Sequence, residues 1–552
     1  MEDIPDSASI MNQSTRSKRS FSTTSTNSPL KKGKTFSGCY GVTVEEISSF
    51  YLIWRNQYIR RLIRNIVCQD VLIRVNNEYL CDNQQYLSLF SNIDKVNHNI
   101  RISFLGKARD YLDINNSNRD LINDAELSIQ SSFNFNEIHN GVHTLVLKLT
   151  NLKAAVMGQL PDSITKLRIF AVNPPIVQHL ISNLPCKLQE LDLMFNSIES
   201  RCVLPQSLTD LDYTGSYDSM KKLVVPPNKV YKNCGIVLDS NESFQCLLEN
   251  KFISVINIGP GAIPMLKSHP LPSHVSYVYL NHGHEPDLLL PHTVENLFIY
   301  EYGTPFSHIS HLKDLEIDNE YPIKLEKGVL PRSLETLSLY YNQPLEPDVF
   351  PNQLKTLYLH EFNQPLCVNV LPSSLTDLYL SDFYQPLNTF VLPQKLKRLN
   401  LHGIKQLTPD SLPVSLTDIT LFKFKASFDQ CQPLDNLKKL QIGSLFPSVG
   451  RLLTNVKKLD LFISNTTIND PSGTCLANTS IENLHLSVNL KSTLYPNSFP
   501  PTIKYLSLAN VVIESDNVIP SSCRYLKSKF NHIDTKYVPK SVRYIKSIQE
   551  NK

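Results

Sequence analysis

Between Leu330 and Leu421, one ten-residue pattern occurs five times, at intervals of 20 or 21 residues. Each copy fits L/F-P-x-x-L-x-x-L/I-x-L, and its proline is Pro331, Pro351, Pro372, Pro393 or Pro413. A single unit of this length buries too little apolar surface to hold together, whereas stacked units bury a continuous core. This fixed period therefore predicts a solenoid, in which each repeat forms one coil stacked on the next.

Within each copy, apolar residues occupy positions 1, 4 and 6 of L-x-x-L-x-L. The last four residues alternate between apolar and polar, as they do in a strand with one buried face. Proline cannot donate a ladder hydrogen bond, so its place three residues before position 1 marks the entry to each strand. We expect a leucine-rich-repeat-like solenoid with short parallel β-strands and mostly irregular outer connections. Positions 3, 5 and 7 then line the exposed side of the strands, called the inner face below.

The same pattern extends well beyond the five clear copies. Indexed by position 1, about 20 copies run from Val142 to Val542 with a mean step of about 21 residues. The chain thus divides into a tail at residues 1–40, a cap region at 41–140 and a solenoid at 141–552. Within the cap region, residues 69–140 contain short strand-like segments. These segments fit either degenerate early repeats or a separate small domain.

The N-terminal regions differ in composition from the repeats. Residues 1–40 are rich in Ser and Thr, with basic clusters at 16–19 and 31–34, and we expect a disordered, solvated tail. A nuclear-import signal or a phosphorylated segment is the alternative interpretation. Thr43-Val-Glu-Glu46 fits a helix capping box, and apolar residues then recur at helical spacing as far as Ile66. We expect this short helix, with Trp54 as a packing anchor, to cap the first coil of the solenoid.

The middle copies carry a second motif after the strand. It reads Tyr341-Asn-Gln-Pro-Leu345, Phe362-Asn-Gln-Pro-Leu366 and Phe383-Tyr-Gln-Pro-Leu387. Together, L-P-x-S-L-x-x-L-x-L and F-N-x-P-L resemble the FNIP repeat, a leucine-rich-repeat relative found in social amoebae and giant viruses. The resemblance covers roughly residues 140 to 550 and implies a solenoid that binds other proteins. Some family members resemble ubiquitin-ligase receptors that join an F-box to such repeats, and Ile53-Trp-Arg-Asn56 lies where that module would be.

Composition and motifs narrow the function classes. The net charge is +3 and only 19% of residues are charged, so we expect no nucleic-acid partner. The 11 cysteines contain no C-x-x-C pair, which is typical of reduced thiols in the cytosol or nucleus. The N-terminus does not resemble a signal peptide, and no run of 18 apolar residues occurs. We therefore expect a cytoplasmic protein, with a nuclear location as the alternative, and no membrane partner.

No catalytic or cofactor motif stands out. The sequence has no G-x-x-x-x-G-K-S/T, no G-x-G-x-x-G and no H-E-x-x-H. One metal-like cluster, His282-Gly-His284-Glu285, lacks a further ligand at zinc spacing. We expect no enzyme, no cofactor and no metal site. The leading hypothesis is a protein-interaction scaffold, in signalling for example, and the runner-up is a substrate receptor of a ubiquitin ligase.

Reading positions 3, 5 and 7 along the stack predicts where a partner binds. Aromatic and acidic side chains alternate in the middle repeats, and basic ones follow toward the C-terminus. The predicted partner-binding residues are Tyr279, Phe298, Tyr300, Asp314, Glu316, Asp318, Tyr340, Tyr358 and Tyr379. Exposed tyrosines are common at interface hot spots, and the carboxylates would select a basic partner segment. Alternatively, the rings stack only to stabilise neighbouring strands.

Overall fold

The computed structural model describes residues 55–149, 151, 155–171, 173–280, 288–300, 306–318, 325–424, 427–464, 475–529 and 532–548. The chain divides into two compact units, residues 1–68 and 69–552. The tail at residues 1–40, the capping box at 43–46 and Trp54 lie outside the described residues. So does the cluster of His282, His284 and Glu285.

In the first unit, a helix occupies the C-terminal part of the segment predicted to be helical. It runs from Gln57 to Val67, and the side chain of Asn56 caps it by accepting hydrogen bonds from the N–H groups of Tyr58 and Ile59. Several of its apolar side chains are exposed, including 73% of Tyr58 and 57% of Ile66.

The second unit is built from short strands that pair in parallel. In chain order they are β1 (Leu72–Val75), β2 (Arg101–Lys107), β3 (Asp124–Ile129), β4 (Phe133–Asn134), β5 (Thr144–Leu149), β6 (Val156–Met157), β7 (Lys166–Ala171), β8 (Glu190–Met194), β9 (Cys202–Val203), β10 (Asp210–Gly215), β11 (Leu223–Val224), β12 (Asn233–Leu238), β13 (Val255–Ile258), β14 (Tyr277–Leu280), β15 (Asn296–Ile299), β16 (Asp314–Ile317), β17 (Thr336–Tyr340), β18 (Thr356–His360), β19 (Asp377–Leu380), β20 (Arg398–Leu401), β21 (Asp418–Leu421), β22 (Lys439–Ile442), β23 (Lys458–Ile463), β24 (Asn483–Thr493), β25 (Tyr505–Ile513), β26 (Tyr525–Lys529), β27 (His532–Ile533) and β28 (Tyr544–Ile548). Within the described residues, 24 of them form one sheet, and β4–β6 and β9–β11 form two small parallel pairs.

Helices are short, and within the second unit they lie in the connections between strands. The helix described above is α1 (Gln57–Val67), and the others are α2 (Asn77–Leu87), α3 (Asn92–Asn97), α4 (Ala108–Leu112), α5 (Asn116–Arg119), α6 (Pro174–Ile181), α7 (Tyr217–Met220), α8 (Asn241–Glu249), α9 (Ile263–Leu266) and α10 (Val449–Leu452). Single 3₁₀ turns occur at Phe135–Glu137, Pro260–Ala262 and Thr535–Tyr537. The predicted solenoid of short parallel strands is confirmed. The predicted irregular connections are seen from β14 to β21, where the described residues contain no helix.

Residues 69–140 belong to the same sheet as the repeats. Strand β1 pairs in parallel with β2, β2 with β3, and β3 with β5. Within the described residues, the sheet therefore begins at Leu72, well before residue 141, where the sequence pattern placed the start of the solenoid. The repeat pattern does not reveal these early coils in the sequence, because helices α2 to α5 interrupt the spacing of their strands and the proline motif is missing.

The repeat motif is explained by its contacts in the coil. Leu334, Leu337 and Leu339, at positions 1, 4 and 6, are completely buried. The carbonyl of Pro331 accepts a hydrogen bond from the N–H of Leu334 at 3.2 Å, which closes a tight turn before β17. The serine of L-P-x-S-L links adjacent coils, since Ser333 Oγ donates to a carbonyl of the preceding coil at 2.7 Å. Equivalent bonds recur through the stack, so the motif satisfies backbone groups as well as filling the core.

In the middle coils, the F-N-x-P-L motif stabilises the segment that follows the strand. Phe362 and Phe383 are fully buried, and their rings stack with centroids 6.3 Å apart. The Asn363 side chain accepts a hydrogen bond from the N–H of Tyr384 at 2.9 Å and from the Gln385 side chain at 3.2 Å. Asn342 serves the next coil in the same way. The motif is thus an asparagine–glutamine ladder over a phenylalanine ladder, and its residues are used for stacking coils.

One position in each central coil has a left-handed backbone. It is occupied in turn by Gly328, Asp348, Asn369, Phe390 and Asp410, with φ between 55° and 89°. Glycine and asparagine adopt this conformation readily, whereas an aromatic residue such as Phe390 adopts it with strain. The turn geometry of the coil therefore overrides the preference of that residue.

Within the described residues, no helix is both long and apolar enough to cross a bilayer. The ten cysteines in the same part of the chain are all free thiols.

Candidate partner-binding surface

Parallel pairing stacks equivalent side chains of the inner face into columns. The middle column, at position 5, runs from β14 to β19 as Tyr279, Phe298, Glu316, Ser338, Tyr358 and Tyr379. A flanking column, at position 3, contains Tyr277, Asn296, Asp314, Thr336, Thr356 and Asp377. Successive members of a column are about 4.8 Å apart, the spacing between strands. Side chains distant in sequence thus form a continuous surface.

Two groups of stacked aromatic rings bound this surface. Tyr277 and Tyr279 stack with ring centroids 4.5 Å apart, and Tyr279 lies 5.8 Å from Phe298. Farther along, Tyr358 and Tyr379 stack at 4.3 Å with nearly parallel planes. Such contacts hold the rings in place, so they are ordered before any partner arrives.

A depression of about 610 Å³ lies between the two groups of rings. It is called the central groove here and is lined by Tyr277, Asn296, Leu297, Asp314, Leu315, Glu316, Thr336, Ser338, Tyr358 and His360. Small side chains at Thr336 and Ser338 leave the space open, whereas aromatic rings stand on both sides. His360 occupies position 7 of its repeat and is aligned with Tyr340 of the preceding strand, and their rings lie 4.9 Å apart.

The carboxylates of the central groove have no cationic partner among the described residues. Asp314 accepts a hydrogen bond from the neutral Asn296 amide at 2.7 Å, and Glu316 is exposed. Burial, and then hydrogen bonding to Tyr279, raise the pKa of Tyr277 well above its usual range, and the nearby Glu316 carboxylate adds to the shift. The groove therefore combines apolar rings with uncompensated negative charge.

Several acidic residues elsewhere on the inner face form ion pairs within the chain. Asp377 forms an ion pair with Arg398, and the hydrogen bond that Arg398 donates to this carboxylate raises the pKa of the arginine. Toward the N-terminus, Lys166 pairs with Glu190 at 2.6 Å. The remaining acidic zone includes Asp212, whose pKa is raised by burial first and then by its acidic neighbours Asp192 and Asp210. Further ion pairs on this face join Glu126 to Lys148, Asp124 to Arg101, Asp192 to Arg168 and Asp418 to Lys439.

The nine predicted partner-binding residues fall into three sets. The middle column holds Tyr279, Phe298, Glu316, Tyr358 and Tyr379, and Asp314 lies beside it. Tyr300, Asp318 and Tyr340 occupy position 7 at or just after the ends of their strands, and Tyr300 is 48% exposed. The three tyrosines Tyr340, Tyr358 and Tyr379 are half-buried by their neighbours. Both the partner-binding and the strand-stabilising interpretations of these rings therefore stay open.

Besides Tyr277 and the strand leucines Leu297 and Leu315, four polar groove residues were not among those predicted. They are Asn296, Thr336, Ser338 and His360, which occupy positions 3, 5 or 7 of their repeats. The rule of positions 3, 5 and 7 already identifies them as inner-face residues. The prediction selected tyrosine, phenylalanine and acidic residues, so it did not include small polar side chains or histidine.

The described residues contain no group of three or more His, Cys, Asp or Glu side chains that could hold a metal ion.

Comparison with known proteins agrees with the repeat motif. The family model for the FNIP repeat matches residues 321–362, 341–382 and 362–403, so the predicted resemblance is confirmed in this part of the chain. No curated protein matches the sequence.

Solved structures similar to this chain include the following three. CroV588, described as a novel circular leucine-rich-repeat protein, is 19% identical over 87% of this chain and 70% of its own, with a TM-score of 0.44. TLR13, solved as a complex with ssRNA13, is 14% identical over 81% of this chain and 87% of its own, also with a TM-score of 0.44. YopM from Yersinia enterocolitica is 17% identical over 78% of this chain and 87% of its own, with a TM-score of 0.27.

Proposed function

We propose that this chain, which carries FNIP repeats within a leucine-rich-repeat-like solenoid, is a non-enzymatic scaffold that binds a protein partner in its central groove. The observation that carries the proposal is the pair Asp314 and Glu316, which lie between two groups of ordered rings without a cationic partner among the described residues. Elsewhere on the inner face, Glu126, Glu190 and Asp377 are each paired with a lysine or an arginine.

Physical chemistry favours a partner with a basic, extended segment. Rigid aromatic rings offer a large contact area at low entropic cost, since few rotatable bonds are immobilised on binding. Unpaired carboxylates beside them attract positive charge and steer its approach, more than they add affinity. The groove lies across four strand spacings, about 19 Å, which an extended segment of about six residues would cross.

The test compares two sets of substitutions in the full chain. Tyr340→Ala, Tyr358→Ala and Tyr379→Ala together should weaken partner capture at least ten-fold. The matched control is Tyr505→Ala with Tyr525→Ala, since these rings also neighbour each other across two strands, with centroids 6.4 Å apart. Raising the salt concentration should slow association if the carboxylates take part. If the folded triple variant captured the partner as well as the wild type, the central groove would not be the docking site.

A ubiquitin-ligase receptor is the second candidate function. The observation in its favour is helix α1, which exposes apolar side chains that a protein partner could bury. Tyr58→Asp with Ile66→Asp, made in the full chain, should then remove ligase subunits from the purified complex and leave the groove partner in place. Absence of ligase subunits from both the wild-type and the variant complexes would exclude this function.

A further inference from the structure

The chain itself shows how the space beside an inner-face aspartate can be filled. Asp377 is almost fully buried, with 6% exposure, because Arg398 of the next strand in the same column pairs with it. Arg398 lies on the inner face of β20, beside strand β19, whose Tyr379 ring stacks on that of Tyr358. An aspartate–arginine pair next to stacked tyrosines is called the complete unit below.

A second unit of the same kind occurs near the N-terminus. There Arg168 pairs with Asp192 of the neighbouring strand, and its guanidinium lies 5.9 Å from the centre of the Phe170 ring. A planar guanidinium can accept both contacts at once, since it stacks on a ring while it donates in plane to a carboxylate. At both places, arginine is the cation that pairs with an inner-face aspartate near aromatic rings.

The central groove has the same carboxylate and rings but lacks the arginine. Asp314 is aligned with Thr336 in the next strand, just as Asp377 is aligned with Arg398. On its other side stands Asn296, which is neutral. The short Thr336 side chain leaves open the space that Arg398 occupies in the complete unit, and the depression of about 610 Å³ includes this position.

We propose that the partner completes this unit by inserting an arginine side chain into the central groove, beside Asp314 and Glu316 and against the tyrosine rings. The inference rests on the proposed function and names the chemical group that is recognised. Asp314 and Glu316 lie two residues apart on the same face of β16, so their Cα atoms are about 6.7 Å apart. A guanidinium with five N–H donors can bond to both carboxylates, whereas a lysine ammonium offers only a point charge.

The partner's group can be tested with short peptides as probes. Four pentapeptides, acetyl-Ser-Gly-X-Gly-Ser-amide, carry arginine, lysine, citrulline or norleucine at X. Saturation-transfer NMR against the full chain should give binding for arginine at least ten-fold tighter than for citrulline, which has nearly the same shape without the charge. Lysine should fall between the two, and norleucine should match citrulline.

A substitution that supplies the missing arginine provides the matching protein variant. Thr336→Arg should fill the groove from within and reduce binding of the arginine peptide at least ten-fold, while the protein keeps its thermal stability. The control is Thr144→Arg, because Thr144 is aligned with Asp124 in the same way but Asp124 already has Arg101 at 3.6 Å. That control should change peptide binding by less than two-fold.

The outcomes separate this inference from the proposed function. Equal binding of the arginine and citrulline peptides, or of the arginine and lysine peptides, overturns the arginine assignment. Unchanged binding to the Thr336→Arg variant does the same. If the arginine assignment fails in this way but the triple tyrosine variant still loses partner capture, the groove remains the docking site and recognises a chemical group other than arginine. Normal capture in that variant would instead overturn the proposed function.

Discussion

Replacing Leu378 with aspartate tests the assignment of the two faces of the sheet most directly. Leu378 is completely buried in β19 and stacks between Leu357 and Leu399 of the neighbouring strands. Truncating a buried leucine costs about 2–5 kcal/mol. Burying an unpaired polar group in the same place costs about 2–7 kcal/mol more. Leu378→Asp should therefore lower the free energy of opening these coils by at least about 4 kcal/mol.

The neighbouring residue provides a matched control on the opposite side of the strand. Tyr379→Asp removes the ring stacked at 4.3 Å on Tyr358. An aromatic pair of this kind contributes about 0.5–1.5 kcal/mol, and the new carboxylate can reach solvent. The two variants should thus differ by about 3 kcal/mol, which corresponds to roughly a hundred-fold difference in opening equilibrium.

Hydrogen–deuterium exchange of peptides that cover β18 to β20 measures this difference locally, which suits a solenoid whose coils contact mainly their neighbours. Exchange should accelerate strongly in Leu378→Asp and weakly in Tyr379→Asp. If the tyrosine variant exchanged as fast as the leucine variant, the assignment of positions 4 and 6 to the core would be wrong.

Two further predictions concern backbone strain and a buried charge. Phe390→Asn should raise the melting temperature, because Phe390 is 59% exposed and held at a φ of 58°, and relieving the strain of a left-handed aromatic residue recovers about 1–2 kcal/mol. The reciprocal change, Asn369→Phe, should destabilise the protein by a similar amount. If both variants shifted the melting temperature in the same direction, the strain argument would be wrong. Lys95 is buried and bonds to the carbonyl of Leu121, and burial lowers its pKa to about 8. Between pH 8 and about 10.5 the unfolded chain then binds this proton and the folded chain does not, so stability of the wild type should rise relative to Lys95→Met by about 1.4 kcal/mol per pH unit. Parallel pH profiles of urea-induced unfolding for the two proteins would contradict that prediction.

The repeat period carried most of the information about the fold. Each predicted position 1 from Val142 to Val542 is followed two residues later by a strand of the sheet. The reason is that stacking requires every coil to bury the same positions, so a local pattern becomes a global architecture. The coils before Val142 escaped recognition because α2 to α5 separate their strands and replace the proline turn.

The candidate site depended on tertiary structure to a much greater extent. The sequence alone identified which residues lie on the inner face, since the side of the strand follows from alternation. It could not identify the central groove, because a groove arises where small side chains such as Thr336 and Ser338 stack between large ones from other coils. Nor could it distinguish Asp314 from Asp377, which occupy the same position in their repeats. Only the register of adjacent strands decides that Asp377 meets Arg398 while Asp314 meets Thr336, and charge compensation depends on that neighbour.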